Sequence, residues 1–387
     1  MANVASGQRS ILWLQVLGLA AVQGAISLSW VIYNLYLPEL LTGLGFAAGL
    51  AAVLLIIENA LGTVMEPLMG SLSDRQQHWL GSRFPQIALG MILAAVCFIA
   101  LPLIVLVGGQ GLRSLLPPAL VAWALTMTIF RSPALSLLGR YAYEAELPQA
   151  ASVLTLVGGV TGAMAPLANE FILGLGPVAA FGAGSGVLLL AALVLSRVKP
   201  GESTATAERA GQPLRWQNLP CIFITGAAIA MGLRLMLGLF PKVVAATGFG
   251  QPPLVVGLLF ITVAVSALPC GQLATKVGNI RAMVAGLGLM ALLALLMSIV
   301  ATPGLAVLMA IAIGISFSLI GNGTLPYALS MVPPDKAGLG TGLYFSGGGA
   351  ALALLGSLIS NWGPGLSLTV AIAAFAIAAL CITLKRP

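Results

Sequence analysis

Five ionisable side chains lie inside long apolar stretches of this sequence. Glu58 and Glu66 share one stretch, and Arg131, Glu170 and Arg234 lie in three others. A charged side chain in hydrocarbon costs about 3 kcal/mol, so such residues usually face the interior of a helix bundle and pair with one another. A buried carboxylate can carry a proton or a cation, and a guanidinium can compete for it. The pattern therefore favours ion or proton handling.

Composition identifies the elements that hold these residues. The chain has 387 residues, of which 59% are hydrophobic and only 7% charged, and its mean hydropathy is +1.06. A soluble domain carries about 25% charged residues. The 47 glycines suit close packing of helices in lipid. We therefore expect an all-α membrane protein whose permanent partner is the lipid bilayer.

Breaks at glycine, proline and charge divide the chain into twelve runs of about 20 residues, each long enough to span a bilayer as a helix. Their predicted limits are 11–37, 48–72, 84–107, 117–138, 149–174, 178–196, 218–240, 253–275, 280–301, 305–331, 337–360 and 365–384. Segments on the side of both termini hold thirteen Lys and Arg, whereas the opposite side holds only Arg113 and Lys242. Because basic loops stay in the cytoplasm, we expect a plasma (inner) membrane protein with both termini cytoplasmic.

The longest polar stretch, residues 197–217, predicts a cytoplasmic linker between two six-helix halves, 1–196 and 218–387. We interpret it as a flexible tether, with a regulatory segment as the alternative. The halves contain similar segments, since GSLSDR at 70–75 is echoed by GQLATK at 271–276, roughly half a chain length later. Repeats at corresponding positions in two six-span halves are typical of secondary transporters.

The segment after span 2 carries a family resemblance. Gly70, Asp74, Arg75 and Arg83 resemble the loop 2–3 signature of the major facilitator superfamily, in which a glycine, an acid and bases recur. The resemblance implies twelve transmembrane helices in two pseudo-symmetric six-helix halves. It also implies that these four residues form a conformational lock, in which the acid accepts hydrogen bonds from a neighbouring helix N-terminus. We expect the α-helix to end near residue 72 and a polar loop, including His78, to follow.

A narrower resemblance extends from Glu66-Pro67 to Phe84-Pro85. This order is similar to that of the glycoside–pentoside–hexuronide and sucrose-type cation symporters, in which an acid at the end of span 2 binds the coupling cation. The resemblance assigns that role to Glu66. The branch's second acid corresponds to Gly62 here, and a lone carboxylate favours H⁺ over Na⁺ as the coupling ion.

The candidate functional residues form three sets. Glu66 and Glu58 are the cation-coupling candidates, and Arg131 is the charge partner of Glu66, with a static pair between helices as the alternative. Glu170 and Arg234 lie near the outer ends of spans 5 and 7, where they form an outer gate or else extend to the interface. Spans 1, 4, 7 and 10 line the cavity in this superfamily, and the substrate-binding candidates are Gln23, Trp30, Tyr33, Asn34, Asn59, Asn322 and Tyr327. Trp30 and Tyr33 also fit an interfacial aromatic belt.

No catalytic, metal-binding or nucleotide-binding motif is visible in the sequence. The four cysteines have no paired spacing, and the basic residues form no patch for nucleic acid. We therefore expect a monomeric transporter without enzymatic activity or cofactor, whose partners are a small-molecule substrate and a coupling cation. Symport of a small polar solute with H⁺, or with Na⁺, is the favoured function, with a sugar or glycoside as solute. The alternatives are an H⁺-coupled exporter of amphipathic or drug-like compounds and a membrane assembly factor that transports nothing.

Overall fold

A computed structural model describes residues 11–47, 49–108, 111–198, 213–358 and 362–384. Within these residues, twelve helices are long and apolar enough to cross a membrane, which confirms the predicted fold class. The long helices are α1 Trp13–Gly43, α2 Leu50–Leu80, α3 Phe84–Gly108, α4 Leu116–Leu135, α5 Leu147–Leu167, α6 Pro177–Arg197, α7 Asn218–Ala246, α8 Pro252–Val277, α9 Asn279–Leu296, α10 Pro303–Ser330, α11 Ala337–Leu358 and α12 Pro364–Leu384. Most of the predicted linker, residues 199–212, lies outside the described residues, as do Arg9, Lys385 and Arg386.

Helix α2 is longer than predicted. The polar segment that we expected to form a loop continues as helix to Leu80. The helix ends at Gly81, whose φ of 69° is left-handed and is favourable for a residue without a Cβ. His78 therefore lies in the last turn of α2, where it is exposed, and not in a loop. The extra turns change which basic residue can reach Asp74.

Buried apolar side chains form two large clusters. The first draws almost entirely on α1–α6, and the second is built from α7–α12. Within the first cluster, Phe98 packs between Trp123 and Phe181, with ring centroids 4.8 and 4.4 Å away. Burial of such large aromatic rings contributes strongly to packing. Each group of six helices therefore has its own core.

The two groups of helices meet along two glycine-lined seams. In the α2–α11 seam, a Cβ built on Gly70 would overlap the backbone of Gly338. In the α5–α8 seam, a Cβ built on Gly159 would lie 2.6 Å from the backbone nitrogen of Ala264. Glycine permits such approaches because it lets two helix backbones touch. The close contact between the halves thus depends on backbone packing along both seams.

Helix α11 has glycine residues on two of its faces. Gly338 and Gly342 meet the backbone of α2, whereas Gly347 meets the backbone of α7 at Ala227. From the other side of this second contact, a Cβ on Gly226 would overlap the carbonyl group of Tyr344. Helix α11 therefore lies between α2 and α7 with backbone contacts to both.

We expect Gly159→Ala to destabilise the protein by about 1–3 kcal/mol, because the added methyl group would overlap the α8 backbone. Gly158→Ala is the matched control, since nothing lies within 4 Å of a Cβ at that position. Alanine is the better helix former, so this control should be neutral or stabilising by about 0.5–1 kcal/mol. Unfolding in detergent, followed by tryptophan fluorescence, measures both variants. Equal effects at the two positions would contradict the described α5–α8 contact.

Candidate functional site

A cavity of about 270 Å³ lies between α1, α2 and α4 of the first six helices and α7 and α11 of the second six. Its ionisable, polar and aromatic lining residues are Glu58, Glu66, Arg131, Asn59, Thr128, Trp30, Tyr344 and Phe345. The remaining lining residues are glycine, alanine, isoleucine and leucine. The wall thus combines charge, hydrogen-bonding groups and aromatic faces, which is typical of a site for a small polar molecule.

Glu66 and Arg131 come together in this wall. Oε1 of Glu66 lies 3.4 Å from Nη1 of Arg131, and the Ser132 hydroxyl donates a hydrogen bond to Oε2. The Arg131 guanidinium lies over the Phe345 ring, 3.9 Å from its centroid, which is a cation–π contact between α4 and α11. The Arg131 side chain is 31% exposed, whereas that of Glu66 is 3% exposed. The carboxylate is therefore enclosed while its partner remains open to the cavity.

Glu58 lies two helical turns before Glu66 and has a different partner. The Tyr33 hydroxyl donates a hydrogen bond to its Oε1, and its Oε2 has no hydrogen-bond partner among the described residues. The Tyr33 ring is fully buried against Trp30 and Trp123, at centroid distances of 5.6 and 4.4 Å. Tyr33, a predicted substrate contact, is thus enclosed and bonded to Glu58 in this structure.

Asp74 joins the end of α2 to the start of α11. Its Oδ1 accepts a hydrogen bond from the Gly338 nitrogen at 2.9 Å, and its Oδ2 accepts one from the Leu339 nitrogen at 2.8 Å. These N–H groups have no partner within the helix, and the positive end of the helix dipole favours a carboxylate there. Arg83 lies 2.5 Å from Oδ1 and also donates to the Ser136 hydroxyl. The Asp74 contacts hold α2, α4 and α11 together at this end of the bundle.

Arg75 does not take part in these contacts, although we predicted it as part of the lock. Its side chain is exposed and forms no ion pair in the part of the chain that the structure describes. The helix continues through this position, so Arg75 points about 100° away from Asp74 around the α2 axis. Arg83 reaches Asp74 instead, because the chain turns back after Gly81. Of the four predicted lock residues, Gly70, Asp74 and Arg83 therefore come together at this end of the bundle, and Arg75 does not.

The structure does not bring the two outer-gate candidates together. Glu170 and Arg234 are both exposed, and no ion pair joins them within the described ranges. Both side chains fit the alternative, in which long polar side chains extend toward the membrane interface.

Four predicted substrate-binding side chains bond to protein groups and do not line this cavity. The pairs are Gln23 with Ser27, Asn34 with the Trp30 carbonyl, Asn322 with the Ala267 carbonyl, and Tyr327 with Thr225. Asn322 and Tyr327 are fully enclosed among the second six helices. Of the predicted set, Trp30 and Asn59 line the cavity.

Comparison with known proteins identifies the family. A family model described as the Major Facilitator Superfamily matches residues 19–354, which is well over half of the chain. The chain belongs to this superfamily. No curated protein sequence matches it. As a superfamily member with twelve transmembrane helices, it is a secondary transporter in general terms.

Solved structures of superfamily transporters share the fold. The human organic anion transporter MFSD10 (TETRAN) aligns with a TM-score of 0.72 at 14% identity, over 96% of this chain and 99% of that one. The transporter FucP in its outward conformation aligns with a TM-score of 0.74 at 10% identity, over 96% of this chain and 98% of that one. At such identities the likeness shows the fold alone.

The superfamily expectation that spans 1, 4, 7 and 10 line the cavity is only partly met. Here α2 and α11 contribute to the wall, and no lining residue comes from α10. Tyr344 and Phe345 of α11 are therefore site residues that the sequence reasoning missed. Two adjacent aromatic residues inside a glycine-rich helix were the available signal, because large side chains need space that a tight seam lacks.

Proposed function

We propose that this protein moves a small polar solute across the membrane by alternating access, driven by H⁺ binding at Glu66. The branch resemblance favours a sugar or glycoside as the solute, and Na⁺ is the alternative coupling ion. Trp30 supplies an aromatic face, and Asn59 and Thr128 supply hydrogen-bonding groups in the cavity wall. The excess of basic residues beside both termini supports a plasma-membrane orientation with the Asp74 end of the bundle in the cytoplasm.

The contact between Glu66 and Arg131 carries the proposal. At 3.4 Å it is longer than the 2.7–2.9 Å of a strong charge-assisted hydrogen bond, so the pair is loosely held. Protonation of Glu66 would remove its attraction for Arg131 and free the guanidinium for the solute. Arg131 also contacts Phe345 of α11. Its release from Glu66 would therefore change a contact between the two groups of helices.

We expect a solute gradient to drive proton movement in proteoliposomes, with sugars and glycosides as the test solutes. Glu66→Gln should reduce this proton movement at least tenfold while solute exchange continues, since the amide keeps the shape of the side chain but carries no proton. Glu39→Gln is the matched control, because Glu39 is an exposed carboxylate on α1. It should behave as the wild type. Failure of every solute to move protons in the wild type would refute the proposal.

Export of amphipathic compounds is the second candidate, and one observation favours it. A further cavity of about 650 Å³ lies between α1, α5 and α8. Its lining is mostly apolar, as at Leu17 and Val153, with Gln149 and Gln272 as polar members. Such a cavity suits an amphipathic molecule that enters from the membrane. A purely structural role in membrane assembly is less favoured, because a sealed centre with every charge paired would be expected there, and Glu58 has an unpaired oxygen.

A further inference from the structure

The charges in the cavity wall are unequal. Glu58 and Glu66 contribute two carboxylates, and Arg131 contributes the one guanidinium among the described lining residues. The other titratable lining group is Tyr344. Helices α1 and α7 contribute no charged lining residue, although Tyr33 of α1 contacts Glu58. The charge pattern of the wall therefore depends on three side chains on α2 and α4.

Glu58 presents an incomplete anionic site. The residue is 6% exposed, one oxygen is occupied by the Tyr33 hydroxyl, and the other has no protein donor. A buried acceptor without a partner costs about 1–3 kcal/mol. Tyr33 is held in place by neighbouring aromatic rings, so the carboxylate cannot turn away without losing the hydrogen bond from Tyr33. A bound group that donates hydrogen bonds and carries positive charge would complete the site.

Arg131 presents an incomplete cationic site. A guanidinium has five N–H donors, and the contact with Glu66 at 3.4 Å uses one nitrogen weakly. The Phe345 ring covers one face of the guanidinium. The N–H donors at the edge of the guanidinium remain for a ligand. With 31% of its side chain exposed, Arg131 is accessible from the cavity.

The two sites are separated along the cavity. Glu58 and Glu66 are eight residues apart on α2, which corresponds to about 12 Å along the helix axis. Arg131 contacts Glu66 and therefore lies at about the same depth in the bundle. The anionic site at Glu58 and the cationic site at Arg131 thus lie at different depths. The cavity volume of about 270 Å³ equals that of about nine water molecules. It therefore suits one small molecule with opposite charges at its two ends.

We propose that the transported solute is a small zwitterion, whose ammonium group binds Oε2 of Glu58 and whose carboxylate binds Arg131 once a proton has neutralised Glu66. This inference rests on the proposed transport function and assigns its small polar solute to the zwitterions, in place of the sugar or glycoside that the branch resemblance favours. In the loaded state every charge has a partner, because Glu58 pairs with the ammonium, Arg131 pairs with the carboxylate, and Glu66 is neutral. With Glu66 protonated, a simple amine would leave Arg131 unpaired, and a simple carboxylate would leave Glu58 unpaired. Unpaired buried charges are strongly disfavoured.

The test compares probes that differ only in their charged ends. Linear ω-amino acids of three to six carbons are added to the purified wild-type protein, beside the carboxylates and the amines of equal chain length. Thermal unfolding reports binding, since a ligand of the native state raises Tm. We expect at least one ω-amino acid to raise Tm more than its matched carboxylate and amine, with the best chain length reporting the separation of the two sites.

Variants of Glu58 test whether the ammonium end of the solute binds there. Glu58→Gln should weaken binding of the best ω-amino acid at least tenfold, to the affinity of its matched carboxylate. Glu58→Asp keeps the charge and should retain the preference for the ω-amino acid over the carboxylate. Unliganded Tm checks that both variants fold. Equal stabilisation of the wild type by the ω-amino acid and by either its matched carboxylate or its matched amine, or stabilisation by no probe, would overturn the inference. If a neutral sugar moves protons and no ω-amino acid binds, the transport proposal stands and the zwitterion falls. If ω-amino acids bind as expected but no solute moves protons, zwitterion binding between Glu58 and Arg131 stands and H⁺-coupled transport falls.

Discussion

Asp74→Ala should destabilise the protein by about 3–5 kcal/mol, which is the cost typical of leaving one member of a buried ion pair without its partner. Both Asp74 and Arg83 have side chains only 1% exposed, so the guanidinium would remain buried without its counter-charge. The variant also removes the two hydrogen bonds that satisfy the N-terminus of α11. Unfolding with increasing SDS in mixed micelles, followed by tryptophan fluorescence, measures the change.

The neighbouring residue supplies the control for Asp74→Ala. Arg75 is exposed, and Arg75→Ala should change the free energy of unfolding by no more than about 0.5 kcal/mol. Asp74→Asn keeps the size and one acceptor oxygen but not the charge, so its effect should lie between the two. A loss for Arg75→Ala as large as that for Asp74→Ala would show that Arg75, and not Arg83, is the partner of Asp74.

Gly70→Val should open the α2–α11 seam. A Cβ at Gly70 would already overlap the backbone of Gly338, and neither backbone can give way as a side chain could. Overpacking of this kind costs about 1–3 kcal/mol. Because 1.4 kcal/mol is a tenfold change in an equilibrium constant, conformations with this seam separated should become about 5- to 140-fold more populated.

A cysteine at Ser73 reports the opening of the seam. Ser73 is fully buried beside Gly338, so Ser73→Cys should react slowly with a membrane-impermeant maleimide when the seam is closed. Gly70→Val should raise this rate at least about fivefold. Gly62→Val places the same side chain on α2 where nothing lies within 4 Å, and it should leave the rate unchanged. The four native cysteines are first replaced to remove background labelling. An unchanged rate in Gly70→Val would contradict the close approach of α2 and α11.

The number of helices and the pairing of Glu66 with Arg131 were accessible from the sequence for a physical reason. Apolar length is a property of the linear sequence, and a bilayer converts it directly into a span. The high cost of an isolated charge in hydrocarbon made a partner for Glu66 almost obligatory. Arg131 was a basic residue placed within a predicted span at a suitable depth.

The partner of Asp74 was not accessible in the same way, because it depends on where α2 ends. Polarity suggested a loop after residue 72, yet Arg, Gln and Leu are good helix formers, and Gly81 is a typical residue at a helix C-terminus. Those two signals could have extended the helix and excluded Arg75. The roles of Asn322 and Tyr327 could not be read from sequence, since a polar residue in a span can equally face a cavity or bond to the next helix.

The bare sides of α11 limit how this sequence can change over evolutionary time. A helix with ordinary side chains is about 10–12 Å across, but α11 meets α2 and α7 through its backbone at Gly338, Gly342 and Gly347. Every non-glycine residue at these positions would push the neighbouring backbones apart. The thickness of this one helix therefore fixes the spacing of α2 and α7. Drift in α11 is confined to its remaining surface, whereas α9, with open space at Gly288, has more freedom to vary.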